Sequence, residues 1–345
     1  MSLVSVEGKE IKFDSISVIV QGAIIKSETK KCLESIRKHL PGAQIVLSTW
    51  ENSDVVGLEY DTLVMNRDQG AKISSFKHNT FNNCNRMIVS TQSGIKKADQ
   101  RHLLKLRSDL FLTNSDFLRY WDKFPIVNND YKLFEHRILA SSIYSREFAA
   151  TEYGFPMLFR PSDFWFFGLT KDLEKYFDAP LQRDEEAIDW SFKYPNRIPY
   201  LGSIWRYSPE QHLCFNMVKR CFPHIEFYDT SDWNEKNIEQ SQQILYNNFV
   251  FLGYHESGIY CEKHFKWMQK ENDIHGLITF DKFQAKYKMY CDPHYECVYQ
   301  IHSQDSSNDE PSQDKCYNNE DHQALNTNKS VLYKLFHLYW LRGKK

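Results

Sequence analysis

Ile16–Gly22 reads ISVIVQG, a β-branched run closed by glycine whose apolar residues are continuous rather than alternating. Such a run belongs in a strand buried on both faces, the environment of a parallel sheet covered by helices. The next hundred residues keep to the same logic. Cys32, Leu33, Ile36 and Leu40 recur at helical spacing behind Thr29, the expected cap, and Pro41-Gly42 stops that helix. Ala43–Thr49 (AQIVLST) is a second strand with Trp50-Glu51 at its end, and Leu63–Met65 is a short third ending at Asn66-Arg67-Asp68. Asn85–Gly94 reads as a helix with glycine as its stop, and Leu103–Leu112 as the next strand. Strand, helix, strand, short strand, helix, strand is the order of a βαβ-type, mostly parallel α/β sheet. Ligands of such sheets bind beyond the carboxyl ends of the strands. Gln21-Gly22, Ser48-Thr49-Trp50, Asn66-Arg67 and Arg107-Ser108-Asp109 all fall at or near those ends.

The segment His102–Leu112, HLLKLRSDLFL, carries the strongest chemical signal. Strand alternation sends Lys105, Arg107 and Asp109 to one face. Two cations and a carboxylate projecting from a buried strand are costly unless something engages them. A phosphate-bearing ligand would use all three, the cations on phosphate oxygens and the carboxylate on a divalent metal. A strand-end salt bridge is the plainer reading, and the convergence of several strand ends weighs against it.

Ile138–Ser142 and Ser162–Leu169 are further strands. Asp163 stands just ahead of the aromatic run of SDFWFFGLT, and Thr170 is the expected cap of a helix over Lys171–Phe177. Ser208-Pro209-Glu210 opens a helix running through Arg220, with serine as cap, proline as first helical residue and Glu210 in the first turn. Dipole-complementing chemistry accounts for Glu210 as readily as catalysis does. Asn247–Leu252 (NNFVFL) is the last strand; its asparagines, like Asn85, read more readily as satisfied structural groups than as ligand contacts. Lys263–Tyr299 mixes aromatics, lysine and histidine without clear period, and 300–330 is a polar linker expected to be disordered. Val331–Lys345 (VLYKLFHLYWLRGKK) is a short basic aromatic helix, suited to a membrane surface or to docking on protein.

Several classes are excluded or disfavoured. A formal net charge of -2 gives no electrostatic case for nucleic acid. The 8 cysteines include no C-x-x-C pair, so reduced thiols are expected rather than a disulfide framework or a zinc site. The opening MSLVSVEGKE has no hydrophobic signal core, and cytoplasmic residence is expected. No G-x-G-x-x-G follows the first strand, which argues against a dinucleotide redox cofactor.

The ordered series VIVQG, IRKHLPGAQIVLSTW, MNRD, NCNRMIVSTQSGI, LLKLRSDLFL, SPEQHL and NNFVFL resembles the WavE-type proteins of bacterial lipopolysaccharide core synthesis over roughly Ser15–Ile259. The resemblance implies a cytoplasmic glycosyltransferase with a nucleotide-sugar donor and a GT-A-like, Rossmann-type fold over 1–265. A C-terminal extension (266–299), the linker and the basic helix come after it. In GT-A enzymes a strand-end D-x-D holds a divalent cation and the donor diphosphate. The matching string here is Arg107-Ser108-Asp109, with arginine in place of the first acid. Mn²⁺ or Mg²⁺ on Asp109 is one expectation. Neutralisation of the leaving diphosphate by Arg107 and Lys105 is the other. Glu210 is the first candidate for the base that deprotonates the acceptor hydroxyl, Asp163 the second. Gln21, Gly22, Ser48, Thr49 and Trp50 would receive the nucleotide, with Arg86 as phosphate or structural support. The acceptor would be a glycan or lipid-linked saccharide, with Val331–Lys345 in contact with the inner membrane. Two other readings stand beside this one: transfer of a sugar- or polyol-phosphate on the same scaffold, and a degenerate glycan-binding or scaffold protein.

Overall fold

A computed structural model describes residues 11–75, 80–149, 155–194, 205–264, 268 and 276–298. The linker and the basic helix of 331–345 lie outside these residues. β1 (Ile16–Gln21) leads through α1 (Lys26–His39) to β2 (Gln44–Trp50) and β3 (Thr62–Asn66). A small antiparallel pair, β4 (Lys72–Ser75) and β5 (Thr80–Asn82), precedes α2 (Cys84–Ile95). Then come β6 (His102–Arg107), β7 (Phe111–Leu112), β8 (Ile138–Ser141), β9 (Trp165–Leu169) and α3 (Thr170–Phe177). Short helices α4 (Asp184–Ala187) and α5 (Trp190–Lys193) lead toward α6 (Pro209–Cys221), α7 (Glu235–Asn248) and β10 (Phe249–Leu252). α8 (Tyr254–Ser257), β11 (Ile259–Tyr260) and α9 (Phe280–Tyr290) complete the described elements.

Seven strands form the main sheet in the order β10-β8-β9-β6-β1-β2-β3. The α/β class and mostly parallel sheet agree with the sequence reading. One strand departs: β9 runs antiparallel to both β6 and β8. Its reversal carries the start of β9, with Asp163 and Phe164 just before it, to the edge where the parallel strands end.

Several local expectations are corrected. α1 starts at Lys26, one turn before Thr29, whose hydroxyl instead accepts the Ile25 N–H at 3.2 Å. Thr170 is inside α3 rather than its cap, and its hydroxyl donates to the Gln100 carbonyl at 2.7 Å. Leu103–Leu112 is two strands. Ser108 N–H makes one last bond to the Gln21 carbonyl at 3.0 Å, Leu110 N–H turns back to Arg107 at 3.1 Å, and β7 leaves to pair with β11. Asn247 and Asn248 end α7, where their amides hold the chain at Asn128, Tyr131 and Leu133, so they are structural groups. The stretch read as aperiodic contains α9, capped by Thr279 and burying Phe280, Phe283 and Tyr287 in the common core. Just ahead of α9, Gly276 and Ile278 hydrogen-bond to Glu147 and Ser145 and fasten the loop after β8.

The described cysteines are free thiols, with Cys32, Cys84, Cys214 and Cys261 buried and Cys221, Cys291 and Cys297 partly exposed. Among the described residues, no helix is long and apolar enough to cross a membrane.

Candidate functional site

The crevice between β1 and β6 is where the sheet's connections diverge, with β2 and β3 on one side of β1 and the later strands beyond β6. That is the ligand-binding position of an open α/β sheet. Gly22 closes β1 at a φ of +123°, a conformation that disfavours side chains, and a Cβ there would stand 3.3 Å from Ser108 Oγ. The backbone of Gly22 thus passes close to Ser108, and Trp50 stands half-buried at the end of β2. The neighbouring polar side chains are committed elsewhere. Ser90 Oγ donates to Gln21 Oε1 at 2.7 Å. Ser48 Oγ donates to the Ser90 carbonyl at 2.6 Å and accepts from Asn66 Nδ2 at 3.0 Å. Thr49 and Ser53 hydroxyls lie 3.2 Å apart. These groups form a hydrogen-bonded floor. Arg86, also expected at the site, is gripped by both oxygens of Asp68 at 2.6 and 2.5 Å, which satisfies the structural alternative for it.

Lys105 lies on the same face of β6 as Arg107 but deeper in the sheet. It is fully buried, aligned with Ile19 of β1 and Phe166 of β9. α2 lies on that face, where a Cβ on Gly94 would meet Ile19 at 2.6 Å. The Lys105 ammonium donates to the backbone carbonyl of Asp163 and lies 6.0 Å from the centroids of the Phe166 and Phe177 rings. Burial lowers its pKa from 10.5 to about 8, against the pull of Asp163. Asp109 sits past the end of β6, so strand alternation does not govern it. Arg107 Nε donates to Asp109 Oδ1 at 3.0 Å and Nη2 donates to Oδ2, the bidentate fork of an arginine–carboxylate pair. The guanidinium carbon stacks 4.2 Å from the Phe164 centroid.

Asp163 and Glu210 both reach this cluster, and their environments push them in opposite directions. Burial raises the Asp163 pKa, reinforced by Glu210 and opposed by Lys105 and Arg107. Burial also works to raise Glu210, but the Arg160 guanidinium and the Ser208 hydroxyl outweigh it and hold the carboxyl below its ordinary value. Ser208 caps α6 and exchanges hydrogen bonds with Gln211, and Glu210 stands in the first turn, as the sequence reading has it.

Three further residues belong here that the sequence reading does not single out. Arg160 pairs with Glu210, Nε to Oε2 at 3.4 Å and Nη2 to Oε1 at 3.4 Å. Tyr144 holds a left-handed backbone, φ 66°, rare for a bulky residue and characteristic of constrained sites. Its hydroxyl lies 3.3 Å from Nδ1 of His264, and both rings pack on Phe164 with centroids 5.2 and 5.1 Å away. Burial, with Arg107 and Lys263 nearby, lowers the His264 pKa and favours the neutral ring. The sequence signal for this trio is slight: partners lie 50 and 120 positions apart.

A divalent cation is not well matched to these donors. Both Asp109 oxygens face Arg107. Among the described residues, no three His, Cys, Asp or Glu side chains converge as a metal set.

No curated protein matches this chain. Residues 16–310 match a protein family described as WavE lipopolysaccharide synthesis, a span reaching from the first residue of β1 past the end of α9. The match takes in every strand end and every charged group just described, and so the chain belongs to the WavE lipopolysaccharide synthesis family, with a role in making that glycolipid.

Proposed function

We propose that this protein is a glycosyltransferase, built on a GT-A-like domain, that moves a sugar from a nucleotide-sugar donor to a lipopolysaccharide acceptor. The observation that carries the reading is the gathering of Arg107–Asp109, Asp163 and Arg160–Glu210 at the ligand edge of the sheet. The nucleotide lies in the β1/β6 crevice over Gly22 and Trp50. Arg107, fixed by Asp109 and stacked on Phe164, presents a permanent positive charge to the diphosphate as it leaves. Asp163 is the base for the acceptor hydroxyl, ahead of Glu210, because a raised carboxyl pKa drives proton abstraction better than a lowered one. Lys105 holds the Asp163 backbone and keeps a cation behind its carboxylate. The same reading sets the enzyme on the cytoplasmic face of the inner membrane, with Val331–Lys345 as a peripheral contact that deletion of those residues would abolish in fractionation.

The direct test is thermal shift of the full chain against UDP, GDP, CMP and their common sugars, each with Mn²⁺, Mg²⁺ or EDTA. Ligand at 100 times its dissociation constant adds about 2.7 kcal/mol of stability, which is readily seen. A nucleotide-selective shift that survives EDTA is expected. A shift that needs metal would overturn the arginine-only account of the diphosphate. Absence of any shift, together with no sugar transfer to purified lipopolysaccharide core, would overturn the glycosyltransferase reading.

A further inference from the structure

Three side chains with polar tips pack on the ring of Phe164. The Arg107 guanidinium carbon lies 4.2 Å from its centroid, and the rings of Tyr144 and His264 lie 5.2 and 5.1 Å from it. The fold brings them together along three routes. β9 starts at Trp165, so Phe164 stands at the sheet edge directly after Asp163. Ser145 Oγ accepts the Ser162 N–H at 2.8 Å and ties the loop that holds Tyr144 to this strand start. β11 pairs with β7, which follows Asp109, and the single turn Glu262–His264 after β11 returns His264 to the Arg107–Asp109 fork. The imidazole lies within electrostatic reach of both members of that fork.

Two nitrogens of this group are uncommitted. Arg107 holds Asp109 through Nε and Nη2, and among the described residues its Nη1 has no hydrogen-bond partner. His264 turns Nδ1 to the Tyr144 hydroxyl at 3.3 Å, and among the described residues its Nε2 has no partner either. Both side chains are partly exposed, Arg107 at 24%, and neither nitrogen belongs to the buried unpartnered atoms of the described residues, so both are open to a ligand arriving from solvent. A neutral imidazole carries one N–H. When the Tyr144 O–H donates to Nδ1, that proton is on Nε2, and the open atom is a donor. Two donors beside a permanent positive charge suit an anion with several oxygens. A cation is disfavoured there by the guanidinium, which also occupies both Asp109 oxygens.

We propose that His264 is a second donor to the leaving diphosphate, its Nε2–H acting beside Arg107 on the phosphate next to the sugar, with Tyr144 as the positioning residue that fixes its tautomer. The inference rests on the glycosyltransferase reading and adds how that site tells a diphosphate from a monophosphate. Calorimetry of the full chain would compare UDP with UMP and GDP with GMP on wild type, His264→Leu, His264→Gln and Tyr144→Phe. The diphosphate that binds wild type best should lose about ten- to a hundredfold on His264→Leu, while its monophosphate changes by less than about twofold. His264→Gln sets an amide N–H close to the place of Nε2 and should recover most of that loss, which a role confined to packing would not do. Tyr144→Phe keeps the ring, removes the hydroxyl and should cost the diphosphate about two- to tenfold.

The monophosphate is the internal control for folding. Unchanged diphosphate affinity in His264→Leu, or equal weakening of diphosphate and monophosphate, would overturn the proposal while leaving glycosyl transfer standing. A loss on His264→Leu that disappears in EDTA would overturn it as well, because the imidazole would then be a metal ligand. Preference of wild type for CMP over both diphosphates would do the same, since a CMP-sugar releases no diphosphate. Failure of wild type to bind any nucleotide, CMP included, would overturn the glycosyltransferase reading and this proposal together.

Discussion

Replacing Lys105 by methionine should alter stability and activity in opposite senses. The pKa of this fully buried ammonium falls from 10.5 to about 8. At about 1.4 kcal/mol per pKa unit, the folded protein carries about 3 kcal/mol of penalty for keeping Lys105 charged. Below pH 8 the lysine is protonated in folded and unfolded chains alike, and the penalty is present in full. Between about 8 and 10.5 the unfolded chain binds the extra proton, so the wild type gains stability as pH rises, and above that range the penalty is gone. Methionine fills a similar volume without charge, and leaves the Asp163 carbonyl without its donor at a cost of about 1–3 kcal/mol. The variant should therefore be as stable as wild type, or up to about 2 kcal/mol more stable, at pH 7, and less stable by about 1–3 kcal/mol near pH 10.5. Urea denaturation of both proteins at the two pH values measures this difference directly, with other titrating groups cancelling. Turnover should fall, because Asp163 loses the cation that opposes its protonation. A loss of more than about 2 kcal/mol at pH 7, or a difference between the proteins that ignores pH, would refute the argument from burial.

Asp163→Asn should lower sugar transfer by about 10²–10⁴-fold with the fold intact, as expected for removal of a general base, and near-normal turnover would return the role to Glu210. In wild type the acid limb of the rate profile should sit above the ordinary carboxylate range, since Asp163 must be ionised to act and burial raises its pKa. Asp109→Asn weakens the fork on Arg107 and should loosen nucleotide binding without changing its metal response, measured by calorimetry with and without EDTA. Phe283→Ala, in the fully buried face of α9, should cost about 3–5 kcal/mol in denaturation, and a cost under about 1 kcal/mol would separate α9 from the core.

How far the chain can be read from its sequence depends on what each kind of pattern encodes. Ile16–Gln21 and Gln44–Trp50 are legible because a continuous β-branched run has few places to go other than a doubly covered strand. Strand direction is not written in hydrophobicity, so Trp165–Leu169 is recognisable as a strand while its antiparallel setting is not. α9 escapes although a signal exists: Thr279 caps it, and Phe280, Phe283 and Tyr287 recur at helical spacing amid lysines that hide the period. At the site, alternation reaches one step less far than the strand-like run suggests. It holds through Arg107 and fails at Asp109, where the turn begins, and the plain salt bridge at this strand end is in fact made. Asp163 and Glu210 emerge together as candidates because each stands at an element's start, where polar groups reach a sheet edge. No local rule pairs Arg160 with Glu210 across 50 positions.

Unfavourable terms at the sheet edge bear on whether the protein is a catalyst or a scaffold. A fully buried ammonium, Lys105, and the left-handed backbones of Tyr144 and Phe159 lie at the sheet edge or on the loops feeding it. Each costs on the order of 1–3 kcal/mol, in a domain whose net stability is about 5–15 kcal/mol. A scaffold gains nothing by retaining them. A glycan-binding module would not account for Lys105 beneath Asp163. Binding alone has no use for a carboxylate poised above its ordinary pKa, whereas proton abstraction does. The discriminating comparison is therefore between two variants. If the protein only binds glycan, Asp163→Asn and Glu210→Gln should weaken sugar binding alike. If it transfers sugar, Asp163→Asn should lower turnover by about 10²–10⁴-fold while leaving ground-state binding of donor and acceptor largely in place, and Glu210→Gln should cost less turnover than Asp163→Asn.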